Sequence, residues 1–210
     1  MKLDGPLVLA TKNKGKIAEF RNLFEKMEVS LKSLDDFGPI PEVVEDGETF
    51  EDNAVKKARF TARVLGLPAI ADDSGLVVEA LGGRPGVYSS RYAGEGATDV
   101  VNNCKLLKDM EGVGNREAYF ACVLAIAVPQ GPALIYEGKC HGIIAQEMTG
   151  SQGFGYDPLF YHPPSGKTFA EMSSEEKNHL SHRGMAMLEL KREADKVLVW
   201  LKQRFKEEAF

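Results

Sequence analysis

The stretch LATKNKGKIAEF, beginning at Leu9, sets Thr11, Lys12, Asn13, Lys14, Gly15 and Lys16 between an apolar run and a helical pattern. A helix N-terminus offers unpaired N–H groups and the positive end of the helix dipole to an anion. Lys14 and Lys16 add point charges suited to phosphate, and Thr11 and Asn13 add hydrogen bonds. The spacing is not GxxxxGK[ST], so a P-loop is excluded. The bland alternative is a solvated loop carrying ordinary lysines.

Acids come next. Six carboxylates fall between Glu42 and Asp52, and most of them read as a solvated loop and helix face. ADDSGL differs, because Asp72 and Asp73 leave a strongly apolar run and are followed by Ser74-Gly75. Adjacent carboxylates repel, so holding both at a strand end costs stability unless a cation or basic group offsets them. Magnesium suits such a place: it takes one or two carboxylates, keeps several waters and binds phosphate oxygens. The alternative is an Asp-Asp turn closed by side-chain to backbone bonds.

Two later stretches complete the set. GFGYDP places Phe154 and Tyr156 among glycines that let a ligand approach the backbone, with Asp157 before a proline. An aromatic here would stack on a base; otherwise both rings are core anchors under a loop. EEKNHLSHRGMA puts Lys177, His182 and Arg183 at the entry to a C-terminal helix. Basic groups at a helix start oppose its dipole, and such local conflicts often mark functional sites.

These residues need elements to position them. Leu7–Ala10 reads as a short buried strand, followed by a helix from about Gly15 to Met27 and a second strand in EVSLKSL. Thr49 and Asp52 start a helix that runs to Leu65 and ends at Gly66 and Pro68. AIADDSGLVVEAL reads as strand, sharp polar turn, strand. GGRPGVYSSRYAGEGA, with five glycines, is a loop, and Thr98 opens a helix to about Met110. AYFACVLAIAV has the apolar character of a central strand, with ALIYEGKCHG as its hairpin partner. GSQGFGYDPLFYHPPSGK is another loop. A long helix from about His182 to Phe205 closes the chain, with Met185, Leu188, Val197, Leu198, Leu201 and Phe205 as its apolar stripe. The alternation of strands and helices makes the fold α/β with a mixed sheet.

The 210 residues suffice for one large domain or two closely joined lobes. A formal net charge of −5, with no basic stripe, argues against nucleic acid as the main partner. No run approaches the roughly 20 apolar residues of a membrane helix, and the N-terminal apolar run is too short for a signal peptide. Cys104, Cys122 and Cys140 lack metal-site spacing and read as free thiols, so the expected compartment is the cytoplasm.

In this order, TKNKGK, the acidic segment with Glu45, ADDSGL, GGRPGVYSSRYAG, GFGYDPLF and SHRG resemble the inosine/xanthosine triphosphate pyrophosphatases, a family acting on non-canonical purine nucleotides. The resemblance runs from about Leu7 to the final helix, with no departure at the positions that carry it. It implies one domain over residues 1–210, an elongated mixed sheet flanked by helices, two lobes with the active site in the cleft between them, and a homodimer. It also implies magnesium-dependent cleavage of the α–β bond of ITP, dITP and XTP, giving monophosphate and pyrophosphate. Carried onto this chain, Thr11 to Lys16 grip the triphosphate, Glu45 and Asp73 bind metal, and Asp73 is the proton acceptor. Ser74, Phe154, Gly155, Tyr156, Asp157, Lys177, His182 and Arg183 touch substrate, while Lys57 and Asp72 support. Three rivals stay open at this point: a Maf-type pyrophosphatase, which does not need SHRG; a nucleotide sensor, which does not need converging acids; and a single-strand binder, which the acidic charge disfavours.

Overall fold

The computed structural model describes residues 5–25 and 29–207, with side chains as far as Arg204. Seven strands are ordered β2-β1-β3-β4-β5-β6-β7 in one sheet. They are β1 (Leu7–Leu9), β2 (Leu31–Ser33), β3 (Ala69–Val78), β4 (Glu117–Ala127), β5 (Ala133–Ile144), β6 (Phe160–His162) and β7 (Lys167–Thr168). The helices are α1 (Lys14–Phe24), α2 (Phe50–Leu65), α3 (Asp99–Asp109), α4 (Ser174–Leu180), α5 (His182–Arg192) and α6 (Ala194–Glu207). β1 runs parallel to both neighbours, with Val8 opposite Lys32 and Ala69, as helical crossovers require. β5, β6 and β7 pair antiparallel. The sheet is therefore mixed, and the α/β class holds.

The chain divides into two compact units. The first comprises the residues up to Asp73, Val123–Glu137 and the residues from Ala186 onward; the second comprises Ser74–Cys122 and Gly138–Met185. In the first unit, Ala54, Ala58 and Ala62 of α2 are fully buried with Ala69, Ala71, Ala125 and Ala127. Small side chains there let the helix lie close to the strands. Thr49 caps α2 by accepting from the Asp52 amide at 3.0 Å, and Gly66 ends it in the left-handed region at φ 63°, the conformation glycine adopts without strain. The second unit is built on rings: Phe120 and Phe160 lie 4.7 Å apart, as do Phe160 and Phe169.

Three expectations need correction. ADDSGL is not a turn; β3 runs unbroken through it, because long basic side chains reach each acid and remove the need to turn the chain outward. The closing helix is two helices, broken at Glu193. That break shifts the phase of the apolar stripe, so Met185 and Leu188 are exposed, while Ala186, Met187 and Leu190 are buried with Val197 and Leu201. The stretch read as one loop after Gly150 contains strand β6. Met27 and the side chain of Phe205 lie outside the described residues.

Candidate active site

In the first unit, β3 carries the central acids. Successive strand side chains point to opposite faces, and Asp72 and Asp73 accordingly meet different helices. Lys16 of α1 approaches Asp72 Oδ2 at 2.9 Å. Lys57 of α2 approaches Asp73 Oδ1 at 3.3 Å, and the same ammonium meets Glu45 Oε2 at 3.0 Å. Both aspartates and Lys57 are buried. One ammonium thus bridges two carboxylates from distant parts of the sequence.

Electrostatics follow from that burial. Desolvation pushes Asp73 above the ordinary carboxylate range, opposed by Lys57 and Lys16 and reinforced by Glu45 and Asp72. Burial would likewise depress Lys57, but Asp73, Asp72 and Glu45 outweigh it and hold the ammonium above its usual value. Lys57 is therefore firmly charged, and Asp73 is more basic than a free aspartate.

The phosphate-type loop is partly self-contained. Asn13 caps α1, its Oδ1 accepting from the Lys16 amide at 3.1 Å, and Thr11 Oγ1 accepts from the Asn13 amide at 3.2 Å. Lys12 pairs with exposed Glu42 at 2.9 Å, and Lys14 is exposed. Of the loop's three lysines, Lys16 is the one that meets a β3 acid, Asp72, among the described residues. Gly15 is half-buried at the helix start.

Sequence reasoning missed Asn53. Its Nδ2 donates to Asp73 Oδ2 at 3.1 Å, while its Oδ1 accepts from the Gly47 amide at 2.8 Å. It therefore links the acidic loop to Asp73. The available signal was spacing: Asn53 and Lys57 lie four apart beside the alanine face of α2, so both look at one place. Gly47 has no room for more, since a Cβ would come within 2.7 Å of Asn53 Oδ1.

The second unit holds the other cluster. Lys177 Nζ lies 2.6 Å from Asp157 Oδ2, which also accepts from the Phe154 amide at 2.9 Å. The Lys177 ammonium sits 4.7 Å from the Phe154 ring centroid, and the Arg183 guanidinium 5.9 Å from it. Arg183 Nη2 donates to Ser74 Oγ at 2.9 Å, and the His182 ring stacks on Phe120 at 4.6 Å. Asp157, Lys177, His182 and Arg183 are all buried. The structure thus gathers Ser74, Phe154, Asp157, Lys177 and Arg183. Tyr156 is set apart, its ring in the core and its hydroxyl donating to the Ser89 carbonyl at 2.8 Å. Two glycines make this packing possible, since a Cβ at Gly153 would collide with Asp157 and one at Gly184 with the Asn178 carbonyl.

Among the described residues, no group of three or more His, Cys, Asp or Glu side chains forms a ready cage for a metal. The donor chemistry of Glu45 and Asp73 nonetheless fits magnesium, which needs only one or two protein carboxylates and keeps water in its other positions. A cation, the Lys57 ammonium, already lies within 3.3 Å of both.

Known proteins resemble this chain over nearly its whole length. A dITP/XTP pyrophosphatase of Syntrophobacter fumaroxidans is 61% identical over 202 residues, covering 96% of this chain and 87% of that protein. One from Desulfotalea psychrophila is 56% identical, covering 96% and 91%. Among solved structures, a HAM1 protein from Coxiella burnetii superposes with a TM-score of 0.84 at 42% identity, covering 91% of this chain and 98% of that one. The sequence model of the Ham1 family matches residues 7–193, a span that takes in both clusters, and the chain belongs to that family.

Proposed function

We propose that this protein hydrolyses non-canonical purine nucleoside triphosphates (ITP, dITP and XTP) to the monophosphate and pyrophosphate with Mg²⁺, cleansing the nucleotide pool. That the chain is a nucleoside triphosphate pyrophosphatase rests on relatives such as the dITP/XTP pyrophosphatases at 61% and 56% identity. The observation that carries the finer reading is the ammonium of Lys57 held by Glu45 and Asp73, a cation-binding pair of oxygens beside lysines suited to phosphate.

In this reading, Glu45 and Asp73 hold the metal, which when bound neutralises phosphate charge. Lys16, with the Thr11–Lys16 loop, binds the phosphates, and Lys57 and Asp72 set the charge around them. Asp73, made more basic by burial, orients a water and takes its proton. The water oxygen bonds to phosphorus, the α–β bridging P–O bond breaks, and pyrophosphate leaves with the bonding electrons. In the second unit, Phe154 offers a face to the base, Gly155, Tyr156 and Asp157 shape the loop, and Ser74, Lys177, His182 and Arg183 supply donors. The same reading takes the chain as one two-lobed domain that works as a cytoplasmic homodimer; its three cysteines are free thiols, as a reducing compartment allows.

Incubating the protein with ITP and Mg²⁺ tests this directly. Inosine monophosphate and pyrophosphate are the expected products. Inosine diphosphate and orthophosphate would overturn the assignment of the bond.

A further inference from the structure

Helix α3 touches the Phe154–Asp157 loop through two polar side chains that none of the motifs contains. Asp99 Oδ2 accepts from the Gly155 amide at 2.7 Å, and Asn103 Nδ2 donates to the Gly155 carbonyl at 2.9 Å. The two residues lie four apart, hence on one face of α3. Together they hold both peptide groups flanking a single glycine. Gly155 has φ 62°, and nothing lies within 4 Å of where its Cβ would be. Its side of the loop is therefore open to a ligand while its backbone is gripped from the helix.

Asn103 is a costly choice for packing alone. It is 2% exposed, and its Oδ1 is buried with no hydrogen-bond partner among the described residues. A buried amide with one end unsatisfied destabilises, whereas an apolar side chain of similar shape would not. The group it does satisfy is Gly155. Nearby, Asp157 ties the Phe154 amide and Lys177 together, so the loop is fixed on one side by Asp157 and on the other by α3.

We propose that Asp99 and Asn103 are positioning residues that fix the Phe154–Asp157 loop for recognition of the base. This rests on the reading above, in which that loop meets the base. Neither residue touches substrate; each acts through the Gly155 backbone. Small misplacements of binding groups are expensive, a shift of about 1 Å costing as much as about 10²-fold.

The test compares wild type with Asn103→Leu, Asp99→Ala and Asp99→Asn, the last keeping a carbonyl acceptor. KM and kcat for ITP are measured together with inhibition by inorganic triphosphate, which has phosphates and no base. Asn103→Leu and Asp99→Ala should raise KM for ITP by about 10-fold with inhibition by inorganic triphosphate unchanged, while Asp99→Asn stays near wild type. A wild-type KM in both disruptive variants, or equal weakening of ITP and inorganic triphosphate, would overturn the proposal. Amide hydrogen exchange reads the same bracket without any nucleotide. Faster exchange at Gly155 in Asp99→Ala is expected, and unchanged protection overturns the positioning role even if wild type released no pyrophosphate, a result that would count against the function alone.

Discussion

Replacing Lys57 by Met keeps the apolar stem and removes the ammonium that joins Glu45 to Asp73. The contact with Glu45 contributes little, because that carboxylate side chain is 40% exposed and exposed pairs are worth about 0–1 kcal/mol. The contact with Asp73 is different, since its side chain is 9% exposed and removing one partner of a buried pair costs about 3–5 kcal/mol. Two features reduce that cost. Asp73 keeps the Asn53 hydrogen bond, and burial already eases its protonation. A net loss of about 2–4 kcal/mol is expected, and at about 2–4 °C per kcal/mol for a chain of this size the melting midpoint falls by roughly 4–16 °C. Mg²⁺ should restore part of it, because ligand at a hundred times its Kd adds about 2.7 kcal/mol. It should also stabilise Lys57→Met more than wild type, where binding to Glu45 and Asp73 must displace an ammonium. Circular dichroism melts in EDTA and in excess Mg²⁺ provide both numbers. A variant melting within about 1 °C of wild type in EDTA, less than the shift expected for even 1 kcal/mol, refutes the ion-pair reasoning. Equal magnesium shifts in the two proteins refute the shared cation place.

Four further outcomes are expected. Asp73→Asn should fold and lose at least about 10² to 10⁴ in turnover, the usual worth of a general base; near wild-type turnover in a folded variant removes Asp73 from that role. Lys16→Ala should weaken ITP and ATP alike, since both carry the same phosphates, and a loss confined to one base in kcat/KM would move Lys16 away from them. Arg183→Ala should lower kcat/KM for ITP steeply and barely alter that for ATP, because a donor matches the 6-keto oxygen of hypoxanthine and opposes the 6-amino group of adenine. An equal fall for both nucleotides would make Arg183 a phosphate contact. A chromogenic disulfide reagent at pH 8 should label exposed Cys104 before buried Cys122 and Cys140, burial also holding the Cys140 thiol up at about 11; mass spectrometry of the labelled peptides reports the order.

Much of this was legible in sequence because it is local. Thr49 and Gly66 mark the ends of α2 through capping chemistry that needs no distant partner. TKNKGK sits where a strand gives way to a helix, and so it does in the structure. ADDSGL misled because acids beside Ser-Gly look like a turn, whereas β3 runs unbroken through them and each acid meets a lysine, Lys16 and Lys57, 56 and 16 residues away. The break at Glu193 has no proline or glycine at the junction to announce it. Asn53, Asp99 and Asn103 were passed over for a common reason. Polar residues on helices usually face water, and only the tertiary fold turns these three toward a β-strand acid or a loop glycine.

The two clusters handle charge in different ways, and the difference bears on what each binds. In the first unit buried Asp72, Asp73 and Lys57 are joined to partners that reach solvent: Glu45 is 40% exposed and Lys16 15%. The Glu45 and Lys16 ends can exchange partners at small cost, because water or a new ion replaces what is lost, while the buried aspartates need some cation beside them. In the second unit Lys177 and Asp157 are 5% and 2% exposed and Arg183 is 1% exposed, locked against Phe154 and Ser74. Breaking a pair of that kind leaves a buried charge, so its donors stay where packing puts them. An exchangeable set of charges suits a ligand that brings its own, such as a triphosphate with its cation. A fixed set of donors suits a neutral ring whose edge must be read by geometry. That contrast supports the proposed assignment of phosphates to the first cluster and of the base to the second, which the Lys16→Ala and Arg183→Ala variants test.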